Sequence, residues 1–127
     1  MSRFDAATEA ERLQLFVDAA AAHRERSSDV MTVDVDPDGD EPPPWIQLAG
    51  TELVLDCTDA ELDRLKGLLD EFPEFRIDEL ASPEAAAGTN AVVTARSDAN
   101  RVAGFIERAF REVYRLDDDY RAWVTTV

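Results

Sequence analysis

Four arginines recur near the C-terminus at spacings that bring them together on a helix. Arg101, Arg108 and Arg115 lie seven residues apart. At about 100° per residue they fall within a narrow arc, with Arg111 beside them. Guanidinium groups bind phosphates and carboxylates through paired hydrogen bonds. This set, called here the arginine stripe, predicts a binding surface for a phosphate, a nucleic-acid backbone or an acidic protein face, including the acidic half of a second copy.

A solvated helix explains the same spacing without a ligand. On such a helix Glu107 would pair with Arg111, and Arg108 with Glu112, each four residues apart. Pairs of this kind are common on helix surfaces and contribute about 0.5 kcal/mol each. The ion-pair interpretation is therefore the simpler one for the arginine stripe.

A short acidic run matches the beginning of a calcium-binding loop. Asp34, Asp36 and Asp38 alternate, and Gly39 follows, as the first carboxylate ligands and the turn glycine do in such loops. The twelfth position, however, is Trp45 where a glutamate is needed. The three aspartates are thus candidate metal ligands, and an acidic solvated loop is the alternative.

One histidine and one cysteine are too few for a zinc site of the usual Cys/His kind. We expect His23 near the end of the first helix, where the helix dipole favours its charged form. Cys57 should pack as a small apolar group, although a nearby helix N-terminus could lower its pKa, and a pair with His23 stays open.

The sequence has no glycine-rich phosphate loop and no nucleophile-elbow serine. It therefore predicts no catalytic residue and no cofactor, and it favours a protein without enzymatic activity.

The charge composition predicts a salt-rich environment. The chain has 28 acids against 13 bases, of which only Lys66 is a lysine, and its formal net charge is −15. Such a surface repels itself in dilute salt, whereas a Debye length of about 3 Å at 1 M salt removes most of the repulsion. We expect a halophilic cytoplasmic protein in a potassium-rich solvent, with no membrane partner. The same charge makes nucleic acid an unfavoured partner without excluding it.

The hydrophobic pattern predicts a single α+β domain over residues 1–127. Its elements follow the order α-βββ-α-ββ-α, which favours an antiparallel sheet of about five strands with helices packed on it. Thr8 and Thr58 begin capping boxes, and Ser97 is expected to cap the last helix. Gly50 is expected to provide the positive φ of a hairpin turn. The tail from Asp117 should form a helical turn or an added strand. The predicted strands cover residues 30–35, 45–48, 52–57, 75–80 and 91–96.

This order of elements is similar to that of the type III secretion chaperone-like fold, a group of small acidic dimeric proteins that hold other polypeptides. The similarity covers most of the chain as an order of elements, without a residue motif, and so it assigns no site residue. Residues 57–127 also resemble small uncharacterised haloarchaeal proteins. Because the chain has an ordinary core, no catalytic signature and one charge-distinct helical face, we predict a non-catalytic interaction or regulatory module, adaptor-like or chaperone-like. It would bind a protein partner or itself through its sheet face or last helix. The alternative is a small-ligand-binding domain or an unrecognised enzyme, with a pocket between the curved sheet and the helices that is gated by the loops at 36–44 or 81–90.

Overall fold

The chain forms three α-helices and seven strands within the residues that the computed structural model describes, which are 5–26, 30–36, 43–81 and 88–126. The helices are α1 (Glu9–Arg26), α2 (Asp59–Leu69) and α3 (Ala99–Arg108), and α3 continues as a π-helical segment (Ala109–Val113). The strands are β1 (Asp5–Ala6), β2 (Met31–Val35), β3 (Trp45–Ala49), β4 (Glu52–Cys57), β5 (Phe75–Ala81), β6 (Thr89–Ala95) and β7 (Ala122–Thr126).

All strand pairs are antiparallel and form one sheet in the order β1-β7-β2-β3-β4-β6-β5. The α+β class is as predicted, but the prediction of about five strands was wrong. The element order also begins and ends with a strand. β1 has two residues, too few for a hydrophobic pattern. β7 confirms the strand alternative for the tail, where it pairs with β1 and β2.

The helices pack on one face of the sheet. Alternate residues of β2, β3 and β4 are buried, as strands with one covered face require. These residues form one core with the apolar side chains of all three helices. Among the described residues, no helix packs on the other face. We call that second face the open face.

Local signals explain where the helices begin. Thr58 caps α2 through the predicted capping box with Glu61, and Gly50 has the expected positive φ of 64° in the turn between β3 and β4. The prediction that Ser97 caps α3 was wrong by one residue, and the Ser97 amide instead bonds to the carbonyl of Ala95. The cap is Asp98, whose side chain accepts from the Arg101 amide at 2.8 Å. No helix in the described part of the chain is long and apolar enough to span a membrane.

Candidate functional site

The arginine stripe is divided in the structure. The π-helical segment changes the angular spacing after Arg108, and the helical part ends at Val113. Arg111 instead donates to the Leu116 carbonyl at 2.6 Å, and Arg115 lies beyond the helix with a positive φ of 57°. Only Arg101 and Arg108 therefore share a surface.

Arg101 and Arg108 bind carboxylates of the same chain. Arg101 donates twice to Glu74 at 3.1 Å, and its guanidinium carbon lies 4.1 Å from the centre of the Phe72 ring. Arg108 donates to Glu71 at 2.7 and 3.0 Å. These hydrogen bonds lower the pKa of Glu71 and of Glu74. Both arginines thus connect α3 to the segment that follows α2.

One of the two predicted helix pairs is present. Arg108 bonds to Glu112 at 2.5 and 3.1 Å, as expected. The prediction that Glu107 pairs with Arg111 was wrong, because Glu107 is buried on the core side of α3 and binds Arg12 at 2.8 Å. Arg12 was not predicted as a site residue. The available signal was its position four residues before Phe16 and eight before Ala20, on the apolar side of α1.

The candidate calcium ligands lie in and after β2. Asp34 is within the strand, Asp36 follows it, and Asp38 lies outside the described residues. Asp36 is 3.9 Å from the guanidinium group of Arg121. Across the described ranges, no group of three or more His, Cys, Asp or Glu side chains is arranged to hold a metal ion.

His23 and Cys57 occupy separate, buried positions. His23 is 3% exposed, and its Nε2 atom accepts from the Gly50 amide at 3.3 Å. Burial lowers its pKa, with a smaller contribution from Arg24, and so outweighs any help that the helix end gives to the charged form. Cys57 packs in the core as expected, but burial raises its pKa to about 11. The predicted possibility of a lowered pKa for Cys57 was therefore wrong.

A groove of about 620 Å³ opens at the end of the sheet where β2 ends and β3 begins. Its apolar walls are Pro43, Pro44, Trp45, Tyr114 and Leu116. The Tyr114 hydroxyl donates to the Asp56 carbonyl at 2.8 Å and lies 4.0 Å from the Cys57 sulfur. Burial strongly raises the pKa of Tyr114, so this phenol stays protonated and fixes one wall. We call this feature the end groove.

The charges around the end groove are mostly negative. Among its described lining residues, Asp36, Asp56 and Glu61 are acidic and Arg115 is the one cation. Glu61 accepts from the Thr58 amide at 2.9 Å as part of the helix cap. The groove thus combines an aromatic and proline-lined wall with three carboxylates, a chemistry that suits a cationic or mixed apolar and cationic ligand.

The open face continues from the end groove across the sheet. It has a row in which Asp34 lies directly opposite Trp45 of β3 and Trp123 of β7. Val54 and Val92 lie opposite each other on the neighbouring strands. All five side chains are partly exposed, so aromatic and aliphatic surface remains accessible here.

Fold and groove together define a small α+β protein with one helical layer on a seven-stranded antiparallel sheet, counted over the described residues. The chain belongs to DUF7975, a family of unknown function whose model matches residues 1–127. No curated protein and no solved structure matches the chain.

Proposed function

We propose that this protein is a non-catalytic interaction module, adaptor-like or chaperone-like, that binds another polypeptide through the open face and the adjoining end groove. The observation that carries the proposal is the accessible apolar surface of the open face, which includes Trp45, Val54, Val92 and Trp123. Clustered aromatic and aliphatic side chains that a monomer leaves in contact with water are typical of protein interfaces. The expected partner is therefore a protein, or a second copy of the chain.

The state of the reactive side chains supports a role without catalysis. Cys57 has a raised pKa of about 11 and is buried, so it is a poor nucleophile at neutral pH. His23 is buried, its Nε2 atom accepts from the Gly50 amide, and it is not among the described residues that line the end groove. The two side chains best suited to nucleophilic and base chemistry are thus held in structural contacts.

The arginine stripe supports the choice of surface. The donors of Arg101 and Arg108 face Glu71, Glu74 and Glu112. An incoming anion would have to displace these carboxylates. Within the part of the chain that the structure describes, no ion pair of this kind involves Trp45, Val54 or Val92 on the open face, and for this reason we place the interaction there and not on α3.

The size of the end groove favours a second candidate, a small-ligand-binding domain. A volume of about 620 Å³ lies within the range of ligand pockets, about 300–1,000 Å³. Asp36, Pro43 and Pro44 line the groove, whereas the pocket expected from the sequence was between the sheet and the helices. In this alternative a small cationic or aromatic compound binds against Trp45 and Tyr114.

We place the protein in the potassium-rich cytoplasm of a halophile. The support is the excess of 28 acids over 13 bases, because molar salt screens the repulsion among them. Binding experiments therefore belong in molar KCl, where the acidic chain is expected to be most stable.

A paired capture experiment tests the proposed function. Wild-type protein and the variant Val54→Glu/Val92→Glu are used as bait in host lysate with molar KCl, and stoichiometric partners are identified by mass spectrometry. The variant places two charges on the open face and should lose the partner. Lys66→Glu, at an exposed position of α2, is the control and should keep the partner. Circular dichroism checks that each bait is folded. A partner retained by the folded double variant would contradict the proposal, and a captured small molecule would favour the second candidate.

A further inference from the structure

Trp45 is flanked by two carboxylates on the open face. The pairing of β2 with β3 places Asp34 directly opposite Trp45. In the pairing of β3 with β4, Ile46 lies opposite Leu55. Continued by one residue, that register brings Asp56 opposite Trp45 from the other side. Trp45 and Asp56 also line the end groove together. Directly opposite residues on antiparallel strands have Cβ atoms about 5 Å apart, so both carboxylates are neighbours of the indole.

These two carboxylates are available for a ligand. Within the described ranges, neither Asp34 nor Asp56 forms an ion pair, whereas the nearby Arg121 binds Asp5 at 2.8 Å and lies 3.9 Å from Asp36. Among the described residues, no cation therefore pairs with the two carboxylates beside the indole.

The potential around the end groove is also negative. Glu61 and Asp56 both contribute to the raised pKa of Cys57, after the larger effect of burial. Arg115 is the one cation among the described lining residues. The whole chain has a net charge of −15. In molar salt this charge acts only over the few ångströms of the Debye length, so the carboxylates that directly contact a ligand set its preference for a cation.

We propose that the polypeptide bound at this surface is basic, and that one of its arginine or lysine side chains stacks on the Trp45 indole while pairing with Asp34 and Asp56. This inference rests on the proposed function, since it names the chemistry of the partner at the same surface. An indole face attracts a cation, and arginine suits the site best because its planar guanidinium group both stacks and bonds to carboxylates. The aliphatic stem of the side chain packs against the prolines of the groove wall.

A peptide titration followed by NMR tests the proposal. The probe is a short Gly/Ser peptide with three arginines, and the matched control peptide has citrulline at the same positions, which keeps the shape and removes the charge. The indole N–H signal of Trp45, assigned from Trp45→Phe, reports binding at about 0.5 M and about 2 M KCl. We expect saturable shifts of this signal with the arginine peptide, weaker affinity at the higher salt, and no saturable shift with citrulline.

Three variants locate the site. Asp34→Asn/Asp56→Asn should weaken arginine-peptide binding about fivefold, as expected for the loss of two exposed charge pairs. Trp45→Phe, followed by the neighbouring backbone amides, should weaken it about threefold, because phenylalanine is a poorer cation–π partner. Asp63→Asn, an exposed acid of α2, is the matched control and should bind as wild type does.

The outcomes separate this inference from the function on which it rests. Equal binding by wild type and the double asparagine variant, or by the two peptides, would overturn the inference. So would an unmoved Trp45 signal. If the captured partner is still lost in Val54→Glu/Val92→Glu, the interaction module stands while the basic partner is rejected. If that partner is retained, the module itself fails, whatever the peptide does.

Discussion

The guanidinium group of Arg12 is fully buried, and its bonds join α1 to two later parts of the chain. Its Nε and Nη2 atoms donate to the two carboxylate oxygens of Glu107, each at 2.8 Å, and Nη1 donates to the Tyr120 carbonyl at 2.9 Å. The Tyr120 ring lies 3.9 Å from the guanidinium carbon, and its hydroxyl donates to Glu107 at 2.6 Å. Burial alone would lower the pKa of Arg12, but the bonds to Glu107 and the contact with Tyr120 raise it. Each polar group in this network therefore has its hydrogen bonds or its charge satisfied by the others.

Removing the charge of Glu107 should therefore strongly destabilise the folded protein. We expect Glu107→Gln to lower the free energy of unfolding by about 3–5 kcal/mol, because it leaves a buried guanidinium group without its counter-charge. Urea denaturation in molar KCl measures the change. Glu112→Gln, which removes an exposed partner of Arg108, is the control and should cost less than about 1 kcal/mol. Similar losses in the two variants would show that the buried pair has no special role.

His23 should make stability depend on pH. Its pKa is lowered in the folded protein, and the neutral ring accepts a hydrogen bond from the Gly50 amide. When the pH falls below about 6.5, the unfolded chain takes up a proton that the folded chain does not. The free energy of unfolding should then fall by up to about 1.4 kcal/mol per pH unit, until the folded pKa is reached. Urea denaturation between pH 8 and 5 measures the slope for wild type and His23→Gln, which share all carboxylates. Equal slopes would contradict this assignment.

At the scale of elements, two glycines should respond to alanine in opposite ways. Gly104 is helical in α3, and a Cβ atom there would meet nothing within 4 Å. Gly104→Ala should stabilise the protein by about 0.4–1 kcal/mol, since alanine restricts the unfolded chain and favours the helix. Gly50 has a φ of 64°, so Gly50→Ala should destabilise by about 1–2 kcal/mol, because a side chain disfavours the left-handed region. Thermal unfolding of both variants checks the two signs, and a shared sign would refute the argument.

Elements set by short-range signals could be predicted from the sequence, and those set by distant pairing could not. The alternation of apolar and polar residues from Glu52 to Cys57 predicted the observed bounds of β4. The capping box of Thr58 and Glu61 predicted the start of α2. In contrast, the position of Trp45 beside Asp34 depends on the register between separate strands. The end groove also needs Tyr114, which reaches β4 from the end of the π-helical segment. No local pattern specifies such contacts, and neither the groove nor the buried Arg12 network was predicted.

At the scale of the whole molecule, the net charge of −15 is the main property that opposes folding in dilute salt. The described helices and the open face both have exposed acids, while the ion pairs in the described residues lie mainly around α3 and β7. Most exposed carboxylates among the described residues therefore have no paired cation, and dissolved ions must screen them. The buried Arg12–Glu107 pair is different, since groups removed from water are screened much less by salt. Stability in low salt should then be limited by surface repulsion and not by the core.

Stability should accordingly rise with KCl, and lowering the charge should weaken that dependence. The variant Glu25→Lys/Asp63→Lys/Asp118→Lys changes three exposed acids that form no ion pair within the described ranges. Each replacement adds two charges, so the net charge of −15 becomes −15 + 6 = −9. We expect the melting temperature of wild type to rise steeply between about 0.2 and 3 M KCl, and that of the variant to rise less, because the Debye length falls below the spacing of surface charges. Glu25→Gln/Asp63→Gln/Asp118→Gln should lie between the two. Calorimetry in KCl, repeated in choline chloride, separates screening from specific potassium binding: equal curves in both salts mean screening. A wild-type melting temperature that does not change with KCl would remove the physical basis for placing this protein in a salt-rich cytoplasm.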